Sequence, residues 1–345
     1  MRLALLLPGP LHGMSGGNAY DRAMLAALRA AGHDAQEVAL AGRHPLADDA
    51  ACTAAAAAFD SLASDIVPVI DGLALPAFRD HAAALAARRT VGLIHHPTAL
   101  ETGSTETERD GLRAAEHRLI PLLARVIVTS PATADRVAAG FGVDPHRIAV
   151  VVPGSEDAPR SPGSGGPHCA ILSVGTLVPR KGHDVLLRAL AKLFDLDWRL
   201  TIVGSAARDP VHARALHALA EQLGIIQRVS FAGEADPATL DSLWRGADIF
   251  ALATYWEGYG MAIAEALKRG IPVAVTAGGS AGALVTPLSG VVCAPGDEVS
   301  LSKSLRRMIF DHDLRQALAD AAWKESRALP DWTAQARAFA EAIAP

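Results

Sequence analysis

The chain has 345 residues, half of them hydrophobic, which is more than one ordinary core holds and predicts two domains of roughly 150 to 180 residues. Its 32 basic and 37 acidic residues leave a net charge of -5, which excludes a polycationic surface and with it nucleic acid as a main partner. Three scattered cysteines, Cys52, Cys169 and Cys293, fit neither a zinc spacing nor a disulfide framework and point to a reducing, cytoplasmic setting.

From the amino terminus, the apolar run at residues 3–7 is stopped by Pro8 and predicts a buried strand rather than a signal peptide. A glycine-rich loop at residues 13–17 leads into a helix whose Met24, Leu25 and Leu28 form an apolar face. Further strands are predicted at residues 37–40, 66–70, 90–94, 126–129 and 148–152. The alanine-rich segment 50–58 lacks the roughly 20 apolar residues of a membrane span. At residues 153–168, "PGSEDAPRSPGSGGPH", apolar periodicity stops and Pro, Gly and Ser crowd together, which predicts a linker. A second set of strands is predicted at 170–174, 200–203, 229–232, 249–253 and 272–276, with a weaker one at 291–293. The closing segment has helical period, with Trp332, Ala336, Phe339 and Ile343 as its buried stripe. Short Val/Ile/Leu strands alternating with helices predict an α/β protein with parallel sheets covered on both faces. Each half is then a doubly wound unit with ligands beyond the carboxyl ends of its strands, and two such edges facing one another make a cleft the natural site.

Several stretches near those edges carry chemistry. "GTLVPRKGHD" follows a strand and opens a helix, placing Arg180 and Lys181 at that helix's first turn, where two cations and free amides suit an anion. An isolated Arg-Lys pair is more often a solvated turn; the position at the carboxyl edge favours the anion. Neither a Walker loop nor a Gly-x-Gly-x-x-Gly turn is present. Gly16 and Gly17 would let backbone amides approach a phosphate or sugar, although glycines there can simply make a tight turn. His95 and His96 end an apolar strand at the ligand edge, adjacent rather than spaced for joint metal ligation. Two Asp-x-Asp matches, at Asp195 and Asp311, fall at the amino edge of a sheet and at a helix cap, so no catalytic divalent metal is predicted. In "EGYGMAIAEALKRGIPV", Glu257 lies in a loop and Glu265 inside a helix that begins near Gly260. Bare carboxylates beside a helix start would repel a diphosphate, a conflict removed if each binds hydroxyl groups. A nucleoside diphosphate sugar offers hydroxyls on both sides of its phosphates.

These stretches, with "SVGTLVPRKGHDVLLRAL" and the paired glutamates strongest, resemble the family 4 retaining glycosyltransferases of the GT-B fold over nearly the whole chain. The resemblance implies two Rossmann-like domains facing a central cleft: residues 1–160 on the acceptor side, 167–328 as the nucleotide-sugar donor domain, and a helix at 329–345 crossing back. It implies that Arg180 and Lys181 bind the donor diphosphate, Glu257 the transferred sugar and Glu265 the ribose. Gly258, Tyr259, Gly260 and Met261 would contact sugar and phosphates, Glu234 and Ala235 would flank the base, and Gly16 and Gly17 would close over the phosphates. His95, or His96 one position on, would contact the sugar. The implied activity is hexosyl transfer from a UDP- or GDP-linked sugar with retention and without a metal or other cofactor, to a small-molecule, glycan or lipid-linked acceptor. Peripheral membrane contact would be compatible with that acceptor. Alternatives are a related nucleotide-sugar epimerase or phosphorylase, or a non-catalytic nucleotide-sugar binding protein.

Overall fold

The computed structural model describes residues 1–9, 15–100 and 105–344. The chain divides into two compact units, one formed by Met1–Gly154 with Asp331–Pro345 and the other by Ser155–Pro330. Residues 155–168 therefore belong to the second unit. Ser164 and Ala170 give their amides to the carboxylate of Asp248 at 3.0 and 2.8 Å, which ties the proline- and glycine-rich run to that unit.

The first unit runs β1 (Arg2–Pro8), α1 (Gly16–Ala30), β2 (Asp34–Leu40), α2 (Asp49–Ser61), β3 (Val67–Asp71), α3 (Ala82–Ala87), β4 (Val91–Ile94), α4 (Glu106–Leu119), β5 (Arg125–Val128), α5 (Pro131–Phe141) and β6 (Ile148–Val150). Its strands are parallel in the order β2-β1-β3-β4-β5-β6. Ala4, Leu6, Ile70, Ile94 and Val126 feed one core, and the alternate residues Leu3, Leu5, Val69, Leu93 and Ile127 are equally buried. Strands buried on both faces explain why they read as continuous apolar runs.

The second unit runs β7 (Cys169–Val174), α6 (His183–Ala191), β8 (Trp198–Val203), α7 (Pro210–Gln222), β9 (Val229–Gly233), α8 (Pro237–Arg245), β10 (Ile249–Leu252), α9 (Met261–Lys268), β11 (Val273–Thr276), β12 (Gly290–Cys293), α10 (Glu298–Phe310) and α11 (His312–Glu325). Here the parallel order is β12-β11-β10-β7-β8-β9. On β10, Ile249 and Ala251 enter one apolar cluster while Phe250 and Leu252 enter another on the opposite face. The last helix, α12 (Trp332–Ile343), buries Ala336, Phe339 and Ile343 within the first unit.

The first aspartate of each Asp-x-Asp match has a protein partner. Asp195, just ahead of β8, makes two 2.7 Å contacts with Arg306. Asp311 caps α11 by accepting the amide of Leu314 at 2.9 Å.

Trp198 anchors the second unit. Its ring is fully buried, its indole N–H donates to Leu193 O at 2.9 Å, and the Arg228 guanidinium lies 5.3 Å from the ring centroid. Trp198→Ala is expected to cost about 3–5 kcal/mol in urea unfolding of the second unit. A loss below about 1 kcal/mol would show that the site collapses around the missing ring.

Candidate functional site

In the second unit, β7 lies between β10 and β8, so the chain leaves it toward opposite edges of the sheet. The crevice at the carboxyl ends of such a pair of strands is where open α/β sheets bind ligands. Two loops meet there, residues 175–182 after β7 and residues 253–260 after β10.

Backbone contacts lock these loops together. Tyr255 donates its amide to Arg180 O at 2.8 Å. Gly182 has φ +62°, and a Cβ there would stand 2.0 Å from Ala253 O. No other residue fits, for both conformational and steric reasons. This glycine also corrects the sequence expectation for Arg180 and Lys181. They lie in a separate 3-10 turn, Pro179–Lys181, and the left-handed Gly182 holds that turn apart from α6.

Glu257 is fixed from a third loop. Its amide donates to Gly278 O and its carbonyl accepts from the Ser280 amide, both at 3.0 Å. The carboxylate receives the Lys181 ammonium at 2.7 Å, with the Arg180 guanidinium 3.8 Å away. Arg180 in turn donates to Trp256 O at 2.5 Å. Only 9% of the Glu257 side chain is exposed. Burial works against its charge, but Lys181 and Arg180, with hydrogen bonds from Lys181 and Thr254, outweigh it and hold the carboxyl below the ordinary range.

The helix α9 starts at Gly260, φ +104°, with no side-chain cap. Gly260 O accepts the amides of Ile263 and Ala264. Those of Met261 and Ala262 have no acceptor among the described residues, so the positive end of the helix stays available. Neither glutamate acts as the cap. Glu265, half-buried one turn in, has a carboxylate without a hydrogen-bond partner among the described residues. Burial pushes it up, Arg269 opposes this and Glu156 adds to it. Gly258 and Met261 are half-buried, whereas Tyr259 is buried and its phenol pushed up to about 12 by that burial. Glu234 is exposed and Ala235 buried just after β9, two strands from β7.

The first unit gathers a second group. Gly16 and Gly17 form the opening turn of α1 rather than a loop before it, because Ser15 caps the helix by accepting the Asn18 amide at 3.2 Å. The preceding residues 10–14, and residues 101–104 a few positions after His95 and His96, lie outside the described residues. A Cβ on Gly17 would stand 3.4 Å from the His95 ring. His95 directly follows β4, and its Nε2 lies 3.0 Å from Asp21 Oδ1 and 3.5 Å from Asp71 Oδ2. Burial disfavours charge on this ring, yet the two carboxylates outweigh it and raise His95 above the ordinary histidine value. Asp71 is itself raised, by burial first and then by Asp21, against the opposing effect of His95. Among the described residues, these three are the group of metal-ligating types whose ligand atoms lie within 4.8 Å of one another.

Sequence reasoning missed Asp21 and Asp71. A signal existed for Asp21, which starts the i, i+3, i+4, i+7 series completed by Met24, Leu25 and Leu28 and is 2% exposed. An acid on an apolar stripe needs a partner. For Asp71, the signal was its place at the end of the buried run "VPVID".

The Glu257 charge carries a stability prediction. A carboxyl held below its unfolded value stabilises the fold at higher pH, and that contribution disappears as the pH falls through the lowered value. Thermal melts between pH 7 and pH 3 are therefore expected to show wild type losing more stability than Glu257→Gln below about pH 4.3. At pH 7, Lys181→Met, which strands the buried carboxylate, should cost about 3 kcal/mol. Parallel pH curves for wild type and Glu257→Gln would refute the assignment.

Comparison with known proteins gives a family match and a fold. Residues 155–325 match the family model described as glycosyl transferases group 1. A D-inositol 3-phosphate glycosyltransferase of Corynebacterium kroppenstedtii is 30% identical over 267 residues, covering 72% of this chain and 58% of that protein. One from Mycobacterium sp. (strain KMS) is 33% identical over 210 residues, 56% of this chain and 47% of that protein. The chain thus spans about half the length of the curated relatives it matches. Among solved structures, sucrose-phosphate synthase from Thermosynechococcus elongatus superposes with TM-score 0.81 at 19% identity, over 99% of this chain and 98% of that one. Anabaena HepE in complex with UDP-glucose gives 0.79 at 19%, over 99% of each chain. The latter likenesses show the fold, which is α/β of the GT-B class. Through residues 155–325, the chain belongs to the group 1 glycosyl transferases.

Proposed function

We propose that the protein is a retaining, metal-independent glycosyltransferase that moves a sugar from a UDP- or GDP-linked donor to a hydroxyl acceptor. The observation that carries this reading is the buried Lys181–Glu257 pair, 2.7 Å apart, beside Arg180 and the uncapped start of α9. In transfer, the bond between the anomeric carbon and the diphosphate oxygen breaks and its electron pair leaves with the diphosphate. Arg180, Lys181 and the amides of Met261 and Ala262 are oriented before that charge develops, which is the arrangement that lowers a barrier most.

The two carboxylates take different parts in the proposal. Lys181 uses one of its three N–H donors on Glu257, which leaves others for a phosphate. Glu257, kept ionised, accepts hydroxyls of the transferred sugar. Glu265 has no protein partner to surrender and accepts the ribose diol. Gly258, Tyr259, Gly260 and Met261 line the phosphates and sugar, with Glu234 and Ala235 assigned to the base. On the first unit, Gly16, Gly17 and His95 are assigned to the phosphates and sugar. No residue acts as a covalent nucleophile in this scheme, and the leaving phosphate takes the acceptor proton. No helix among the described residues is long and apolar enough to cross a membrane.

The test is release of UDP or GDP from UDP-glucose, UDP-N-acetylglucosamine and GDP-mannose, alone and with inositol 3-phosphate or simple glycosides as acceptors. Transfer with the anomeric configuration kept in the product, insensitive to EDTA, is expected. Lys181→Ala should lower kcat at least a hundredfold, and Glu265→Ala should weaken donor binding about tenfold. Tight donor binding without turnover would favour a binding protein instead. Activity lost to a chelator and restored by manganese would overturn the metal-free mechanism.

A further inference from the structure

The Asp21–His95–Asp71 group is built from three separate elements, α1, the end of β3 and the turn after β4. Both aspartates are 2% exposed. A pair of buried carboxylates is costly unless a cation or a shared proton neutralises it. Here both acids converge on one nitrogen, Nε2 of His95, at 3.0 and 3.5 Å. Each is held in turn. Asp71 Oδ1 accepts the Leu73 amide at 2.8 Å, and Asp21 sits on the buried face of α1. Tyr20, one residue before Asp21, packs edge-on against the imidazole with ring centroids 5.0 Å apart, and its hydroxyl donates to Val151 O at 3.2 Å. Thr129, beyond β5, donates to His95 O at 3.4 Å and fixes the main chain.

We propose that Asp21 and Asp71 are positioning residues that clamp Nε2 of His95, so that Nδ1 is the nitrogen this histidine presents to a ligand oxygen. Nε2 carries a proton because the Asp21 carboxylate accepts from it at 3.0 Å, with the Asp71 carboxyl a further acidic group 3.5 Å away. Nδ1 has no hydrogen-bond partner among the described residues, and the side chain keeps 20% of its surface exposed. The ring therefore cannot turn over without placing a carbon between two carboxylates. The same pair favours the doubly protonated ring, in which Nδ1 is also a donor. The charged and titratable groups facing the ring among the described residues are Asp21, Asp71 and the neutral Tyr20 phenol. The assignment of the ligand as a nucleotide sugar rests on the proposed function; the clamp itself does not.

Two readouts separate these claims. In nitrogen-correlated NMR of the histidine rings, with His95→Gln to identify the signal, wild-type His95 is expected to keep a proton on Nε2 at pH 7 and to show both ring N–H groups below a titration midpoint raised above the ordinary histidine value. Its titration midpoint should drop by about one unit or more in Asp21→Asn, less in Asp71→Asn, and recover in part in Asp21→Glu. A neutral ring at pH 7 with its proton on Nδ1, or midpoints unchanged in both asparagine variants, would overturn the clamp. So would stoichiometric Zn2+ or Mn2+ capture by the wild-type protein that His95→Gln abolishes, since the group would then be a metal site. Adding UDP-glucose, UDP-N-acetylglucosamine or GDP-mannose should shift the Nδ1 signal, and the alkaline limb of kcat should move to lower pH in Asp21→Asn with KM changed less. Loss of global folding alone would leave that limb in place. If the NMR titrations come out as expected while none of the three sugars shifts the signal or is cleaved, the clamp stands and the proposed function fails.

Discussion

The carboxylate of Glu257 must stay charged inside the second unit, and the loops around it are built to meet that requirement. A buried anion is tolerated only with well-placed partners. Lys181 and Arg180 provide them from a loop 76 positions earlier in the chain. For their turn to reach Glu257, the chain must pass Ala253 at a distance that excludes any side chain, which is why Gly182 stands there. Glu257 is itself held by Gly278 and Ser280 beyond β11, where a Cβ on Gly279 would stand 2.3 Å from Glu257 O. Three loops at the carboxyl edge of one sheet thus share a single electrostatic constraint. Their rigidity comes from backbone contacts, so the charged groups need little rearrangement to act on a ligand.

The start of α9 completes the arrangement by leaving something out. Most helices begin with a side chain that satisfies an early amide, as Ser15 does for α1 and Asp311 for α11. At α9 the residue in that position is a left-handed glycine, and the nearest acids, Glu257 and Glu265, do not bond the free amides. Glu257 faces cations, and Glu265 lies one turn in without a partner. The unmet amides, the cation pair and the unengaged carboxylate are separate features, and one ligand with phosphates between hydroxylated rings would satisfy all three.

Much of this architecture was legible in the sequence because its governing signals are local. Each predicted strand of both sheets is present within a few residues, and the inner ones, buried on both faces, are written as continuous apolar runs. The start of α9 at Gly260 and its end before Gly270 followed from glycine chemistry, and the two Asp-x-Asp matches lie, as expected, ahead of a strand and at a helix cap. What was not legible depended on contacts distant in sequence. The placement of Arg180 and Lys181 in a detached turn depends on the approach of Gly182 to Ala253, which no local pattern encodes. Asp21 meets His95 across 74 positions, and no sequence period links an acid on a helix stripe to a histidine after a strand.

The two clusters solve opposite versions of one problem. In the second unit two cations surround one carboxylate, leaving a net positive charge that only a small part of the surface exposes. In the first, two carboxylates surround one imidazole, so a proton rather than a lysine supplies the compensating charge. The Glu257 carboxyl is held below the ordinary range and keeps its charge near neutral pH, whereas an imidazole beside two acids can gain or lose a proton without moving a heavy atom. The second unit is therefore suited to holding a permanently charged group such as a diphosphate. The first is suited to offering a hydrogen bond whose strength depends on where that proton sits. A fold with two similar sheets has in this way given their carboxyl edges different electrostatic characters, and the difference arises from a handful of residues at the strand ends, with the cores beneath built alike.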